Sequence, residues 1–312
     1  MIISASRRTD IPAFYADWLL NRLRAGYVLV RSPRACRRIS RVSLSPDDVD
    51  ALVFWTKDPR PLLARLPELG KFGIPFGFQF TLTPYGRDLE KGLGDKDDIA
   101  AAFRRLSASL GAGRVRWRYD PIVLNAAWTI ERHMRSFARL CESLEGAAEV
   151  CTISFVDLYA KLRNPVRDGL LRPIRPGEMA ELAAMCARIG GEHGMRICAC
   201  SEAMDLRPYG VQPARCLDPA WLEAIAGVPL RLSPARQREH CGCAESVDIG
   251  AYDTCRNGCA YCYANADAAR VRAAVSRHDP ASPLLTGWPG PEDVVTERRA
   301  VSHRQMQLRL EE

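Results

Sequence analysis

The chain has 312 residues, 47% hydrophobic and 26% charged, a balance that excludes intrinsic disorder and allows one large domain, or one domain with an appendage. Its formal charge of +7 is diffuse; the concentrations at 34–41 (RACRRISR) and 296–310 (TERRAVSHRQMQLRL) read as solvated arginine faces, with no nucleic-acid-binding module signature beside them. No apolar run approaches the roughly 18 residues that span a bilayer and the N-terminus lacks a signal-peptide pattern, so a cytoplasmic protein without a membrane partner is expected, whose twelve cysteines favour metal or cluster ligation over disulfides.

In chain order, short β-like runs at 1–9, 50–57, 75–83, 114–122, 150–157, 195–202 and 246–253 are separated by helical patterns. Those helices fall near 12–25, 60–70, 95–110, 128–145, 176–191, 217–226 and 263–276. Pro12 in a first turn and Gly26 just past the end punctuate the first of them. This alternation predicts an α/β fold with a parallel sheet.

Inside the strands one face is polar. Ser4, Ser6, Arg8 and Asp10 share it in the first run, Gln79, Thr81 and Thr83 in the third, and Arg116, Arg118 and Asp120 in the fourth, opposite Val115, Trp117 and Tyr119. Strands covered by helices on both faces read as continuous apolar runs instead. A polar face must look into a shared, solvated interior, which predicts a full or partial parallel (β/α) barrel. The expected organisation is barrel elements over 1–202, a cysteine-containing insertion over 203–245, a strand, cysteine loop and helix completing the barrel over 246–276, and a proline-rich capping or mobile tail over 277–312.

Strand C-termini carry the chemistry in such folds. Lys57, Asp120, Asp157 and Glu202 fall there and are the candidates for catalytic groups; Thr9, Asp10, Gln79, Arg116 and Arg118 are candidates for holding a cofactor. Each has a plain alternative, such as a surface ion pair for Lys57 or a turn before Pro121 for Asp120. The arginines suit a small or anionic substrate. No GxSxG, Walker or dinucleotide fingerprint is present.

The most specific signal is YDTCRNGCAYCYAN at 252–265, which sets Cys255, Cys259 and Cys262 at CxxxCxxC spacing. Structural zinc sites use four ligands, usually as two CxxC-type pairs. An iron–sulfur cubane held by three protein thiolates leaves one iron open to a small molecule. The alternative is a zinc site completed by Cys241 or Cys243. A second set, Cys200, Cys216, Cys241 and Cys243, is sufficient for a complete site, either [4Fe-4S] or zinc, with Cys198 a possible substitute and His240 a possible neighbour. Cys36, Cys141, Cys151 and Cys186 read as small hydrophobes or free thiols.

CxxxCxxC with an aromatic, Tyr261, before the last cysteine resembles the signature of the radical S-adenosylmethionine enzymes, and the ending GCAYCYA is similar to the branch containing spore photoproduct lyase. The resemblance implies a [4Fe-4S] cluster on Cys255, Cys259 and Cys262, S-adenosylmethionine bound at the open iron, and its reductive cleavage to a deoxyadenosyl radical. It also implies Tyr261 main chain near the adenine, a reducing partner such as flavodoxin or ferredoxin, and a full or partial (β/α) barrel. Auxiliary clusters are common in related enzymes, which favours [4Fe-4S] over zinc for the second set. In that family the motif follows the first strand; here it follows the last. SRRTDIP resembles the branch's TDPYQ region and FWTKDP its TKS strand, so the resemblance implies a circular permutation. The whole chain also resembles bacterial proteins that begin IISASRRTDIP and end with this motif. Alternatives are a nucleic-acid lesion repair lyase of the same chemistry and a non-enzymatic zinc or iron–sulfur protein.

Overall fold

The computed structural model of the chain describes residues 1–235 and 241–305. β1 (Ile2–Ala5) leads through α1 (Ile11–Phe14) and α2 (Ala16–Ala25) to a hairpin of β2 (Tyr27–Arg31) and β3 (Arg38–Ser43). β4 (Ala51–Thr56), α3 (Arg60–Leu63), α4 (Leu66–Gly70), β5 (Phe76–Thr81), α5 (Lys96–Leu110), β6 (Val115–Ile122), α6 (Ile130–Leu144) and β7 (Val150–Phe155) follow. The chain continues through α7 (Arg163–Arg167), α8 (Pro176–Glu192), β8 (Arg196–Ala199), β9 (Gln212–Pro213), α9 (Pro219–Ala226), β10 (Val247–Asp248), α10 (Ala268–Val275) and β11 (Val294–Glu297).

Eight strands form one sheet in the order β10-β1-β4-β5-β6-β7-β8-β9, with every pairing parallel. The strand nearest the C-terminus in this sheet, β10, therefore lies beside β1, where Ile3 pairs with Val247 and Ser4 with Asp248. β10 and β9 are its two edges.

The two faces differ as the alternation requires. Ile3, Ala5, Leu52, Phe54, Phe76, Phe78, Phe80, Val115, Trp117, Tyr119, Cys151 and Ile153 turn to the main core, where they meet the apolar sides of the helices. α6 shows how such a helix is specified: Thr129 accepts from Arg132 N–H at its N-terminus, and His133, Phe137, Leu140, Cys141 and Leu144 form one buried stripe. On the other face Ile2, Ala51 and Val53 pack with Trp221, Leu222 and Ile225 of α9, so α9 fills the amino-terminal half of that face. Gly77 makes room for it; a Cβ there would stand 2.5 Å from Ile225 Cδ1. Toward the carboxyl ends this face carries the polar residues Ser4, Ser6, Gln79, Arg118, Asp120, Thr152 and Ser154.

Several expected helices are shorter than the sequence pattern. The run at 12–25 breaks at Tyr15 into α1 and α2, and the run at 60–70 divides because each half starts on its own proline, Pro61 and Pro67. The helix expected at 263–276 starts only at Ala268, since Asp267 caps Arg270 N–H and Asn265 is bonded to Cys255 O. A three-stranded sheet of β2, β3 and β11 was not foreseen, and it takes residues 294–297 from the expected tail. No helix among the described residues is long and apolar enough to cross a membrane.

Candidate metal and cofactor site

The cysteine loop is attached to the sheet by one carboxylate. Asp248, at the end of β10, accepts hydrogen bonds from Ser4 Oγ (3.0 Å), Ser6 Oγ (2.6 Å), Arg7 N–H (2.8 Å) and Gly250 N–H (3.0 Å). The loop then runs over the carboxyl ends of β1 and β4, held from both sides. On one side Asp10 accepts from Asn257 Nδ2 (3.1 Å), Lys57 N–H (2.7 Å) and Ala13 N–H (3.1 Å), and Tyr15 OH donates to Thr254 O (2.6 Å). On the other, Gly92 N–H donates to Asn257 O (2.8 Å) and Ala260 N–H to Leu89 O (2.8 Å). Between Asn257 and Cys259 the chain needs a left-handed residue, and Gly258 (φ +63°) supplies it.

Burial makes the Cys255 and Cys259 thiols reluctant to ionise without a cation. Burial, reinforced by the nearby Asp10 charge, pushes the Cys255 thiol up to about 12, although Asn257 and Asp10 N–H groups favour its thiolate. Cys259 is raised by burial too, against the pull of the Lys57 ammonium. Cys255 feels the charge of Cys262, and Cys259 that of both Cys255 and Cys262. Burial also raises Asp10 to about 6, hydrogen bonds from Lys57, Thr56, Asn257 and Ala13 offsetting only part of that penalty.

A second buried group stands beside Cys259. Glu90, 1% exposed, pairs with Lys57 (2.8 Å) and Lys96 and accepts from Thr83 Oγ1 (2.8 Å) and Tyr261 OH. Burial alone would raise its carboxyl, but Lys57 and Lys96 outweigh it and hold the group at about 2. Lys57 Nζ also donates to Tyr261 OH at 3.0 Å. Lys57 is thereby a neutralising cation for both the carboxylate and the thiol, and its own proton is held more firmly than usual because Glu90 and Cys259 outweigh burial.

The second cysteine set lies lower on the polar face. Cys200, Cys216 and Cys243 present their sulfurs within 4.8 Å of one another, the single such group of three candidate ligands among the described residues. Ala244 N–H donates to Leu217 O (2.9 Å), which sets the cysteines preceding both residues side by side. Arg118 Nη1 donates to Cys216 Sγ at 2.9 Å, and the same guanidinium pairs with Asp120, which accepts from Ser154 Oγ.

The family model described as a domain of unknown function, DUF1848, matches residues 2–264. The chain belongs to that family. No curated protein matches it. The DUF1848 match runs from β1 through Cys262 and therefore spans both cysteine sets.

Around the loop of this DUF1848 domain the structure gathers Thr9, Asp10, Lys57 and Tyr261 with the three cysteines. Asp120 and Arg118 lie deeper, against the second set. Gln79 and Arg116, expected to hold a cofactor, serve the insertion instead: Gln79 Nε2 donates to Cys216 O (2.6 Å), and Arg116 lies over the Trp221 ring at 4.7 Å. The reason is α9, whose packing turns the lower strand face into an interior contact. Asp157 is exposed and accepts from Tyr159 OH (3.0 Å), and Glu202 accepts from Phe155 N–H (2.9 Å), which ties β7 to the end of β8. Cys241, expected as a fourth ligand, is outside the close trio, although it packs on the same apolar cluster; His240 lies outside the described residues. Sequence reasoning passed over Glu90, Asn257 and Trp55. Strand alternation places Trp55 with Val53 on the inner face, and Asn257 lies inside the motif, whereas nothing in RDLEKG distinguishes Glu90 from a surface acid.

Proposed function

We propose that this protein is an iron–sulfur enzyme of the radical S-adenosylmethionine type, built on a partial (β/α) barrel in which the cluster-bearing strand, β10, is in chain order the last of the eight-stranded sheet. The observation that carries the reading is the position of Cys255, Cys259 and Cys262. They sit together on one half-buried loop, clamped over the carboxyl ends of parallel strands and compensated by Lys57. Their sulfurs are not gathered at the spacing that Cys200, Cys216 and Cys243 adopt. A cubane places each thiolate on a different iron, so its ligands stand further apart than those of one ion. Three thiolates on one loop can hold a cubane whose fourth iron stays open to a small molecule.

A [4Fe-4S] cluster on these thiols would supply one electron to S-adenosylmethionine at the iron lacking a protein ligand, giving methionine and a deoxyadenosyl radical. The chain's own residues support that in identifiable ways. Asp10 fixes Asn257 and hence the middle of the loop. Lys57 balances charge at Cys259. Thr9 Oγ1, Asn257 Oδ1 and Asn265 Oδ1 are buried polar atoms without a hydrogen-bond partner among the described residues, so a polar ligand at the loop would relieve their desolvation. Further in, Arg7 lies over the Trp55 ring at 5.0 Å, a cationic contact suited to a small anionic substrate. A one-electron donor such as flavodoxin or ferredoxin would complete the system.

Anaerobic reconstitution with iron and sulfide, followed by dithionite and S-adenosylmethionine, is expected to yield deoxyadenosine, and Cys259→Ala is expected to abolish it. Deoxyadenosine formation unchanged in Cys259→Ala, or reconstituted protein that takes up zinc but no iron, defeats the reading.

A further inference from the structure

The second cysteine set was expected to be a complete four-thiol site, either [4Fe-4S] or zinc, and the geometry of three of its members bears on which of the two it is. We propose that Cys200, Cys216 and Cys243 bind a single soft divalent ion, zinc, as a three-thiolate site whose fourth position is left to a small exogenous ligand.

Spacing comes first. Sulfurs bound to one tetrahedral zinc at about 2.3 Å stand about 3.8 Å apart. The three sulfurs all lie within 4.8 Å of one another, a range that includes this spacing, and the pair Cys200 and Cys216, at 3.1 Å, would open by about 0.7 Å on a shared ion. Thiolates that each bind a separate iron of a cubane cannot approach so closely. The local chain is arranged to keep this geometry. Cys200 directly follows β8, the Ala244–Leu217 hydrogen bond aligns Cys216 with Cys243, and Ala235 N–H donates to Cys243 O at 2.7 Å. Gln79 Nε2 holds Cys216 O at 2.6 Å from the floor of the sheet.

Charge comes second. One zinc with three thiolates carries a net negative charge, which burial penalises unless a cation stands by. Arg118, 6% exposed, is that cation: it donates to Cys216 Sγ, and Asp120 fixes its orientation. Arg118 is thus a positioning residue for the ion and no ligand itself. A closed structural site has four protein ligands, whereas catalytic zinc sites keep three and an open position. Among the described residues no fourth ligand atom joins the trio, and Cys241, the remaining cysteine of this connection, is outside it. Water or a small anion, drawn by Arg118, is the ligand class that fits.

This inference does not rest on the radical-chemistry reading, and its experiment separates the two. Full-length protein carrying Cys255→Ala, Cys259→Ala and Cys262→Ala is purified, and zinc, iron and sulfide are counted. About one zinc per chain is expected, without stoichiometric iron. Cobalt substitution should give thiolate charge-transfer bands that persist unchanged in Cys241→Ser and disappear in Cys216→Ser, with folding followed by circular dichroism. Arg118→Gln should weaken zinc retention against a competing chelator by about 10-fold or more. Should the triple variant not fold, the same counts on wild type against Cys216→Ser alone decide the matter through the zinc stoichiometry. Four irons with sulfide in the triple variant, zinc retained in Cys216→Ser, or loss of the cobalt bands in Cys241→Ser each overturn the proposal.

Discussion

His133 is a fully buried imidazole held neutral, its ring bonded to Tyr119 OH (2.7 Å) and Val123 O (2.8 Å). Burial lowers its pKa to about 4, below the roughly 6.5 of an unfolded chain. Above pH 6.5 neither state is charged. As the pH falls further, the unfolded chain takes up a proton that the fold refuses, so stability is lost down to about pH 4. Asp10 acts in the opposite sense over part of the same window, because its raised pKa lets the folded state keep a proton that the unfolded state releases. Comparing wild type with His133→Gln isolates the histidine. The variant should be the less stable at pH 7.5, and the gap should shrink by about 2 kcal/mol by pH 5, measured by urea unfolding. A gap that stays constant across this range would mean that the ring is not held neutral by burial.

At the level of elements, the strands were legible because alternation on β1, β5 and β6 separates an apolar face from a polar one, and the structure bears that division out in an α/β parallel sheet. What alternation could not reveal is that α9 covers half of the polar face, since its apolar residues Trp221, Leu222 and Ile225 could equally face an outer core. The consequence is concrete: Gln79 and Arg116 were placed on the right face but at the wrong depth. The cysteine loop was legible as a motif; the segment that clamps it, 84–93, was not, because Leu89 and Gly92 hold the loop through backbone atoms and no pattern marks Glu90 as the partner of Tyr261. Gly92 tests this. A Cβ there would stand 2.3 Å from Arg256 O and 2.9 Å from Asn257 O, both rigid main-chain atoms of the loop. Gly92→Ala must therefore separate the two segments and should cost about 1–3 kcal/mol. It should also lower the iron content after reconstitution. Gly191→Ala, within α8 and with nothing within 4 Å, is the control and should be neutral or stabilising by about 0.5–1 kcal/mol. If the two variants melt and bind iron alike, the clamp is not what holds the loop.

For the whole molecule, residues 278–305 do what no local pattern announces: they close the surface that the first fifty residues leave open. Their proline-rich sequence shows neither a helical nor a strand period, so the expectation of a capping or mobile tail was all that residue types could support. The structure gives the segment particular partners. Trp18 Nε1 donates to Ser282 O and Leu284 O (both 3.0 Å), Leu29 N–H donates to Pro283 O (2.9 Å), and β11 extends β3 in parallel. Leu284 and Leu285 are 3% and 4% exposed, and Asp50, which pairs with the N-terminal amine (2.6 Å), also accepts from Ser302 Oγ (2.6 Å) and His303 N–H (2.8 Å). Ending the chain after Arg277 would give up the burial of two leucines, about 1.5–3 kcal/mol each. It would also strand the indole N–H of Trp18 in an apolar setting, a further cost of about 1–3 kcal/mol. Set against the 5–15 kcal/mol typical of whole domains, a loss of about 4 kcal/mol or more should leave the truncated chain marginally folded or insoluble. The double variant Leu284→Ala, Leu285→Ala should lower the unfolding free energy by about 4 kcal/mol or more while leaving the chain ends intact. Thermal melts of the truncated protein and the double variant within a few degrees of wild type would show that the segment is an accessory strap and not part of the core.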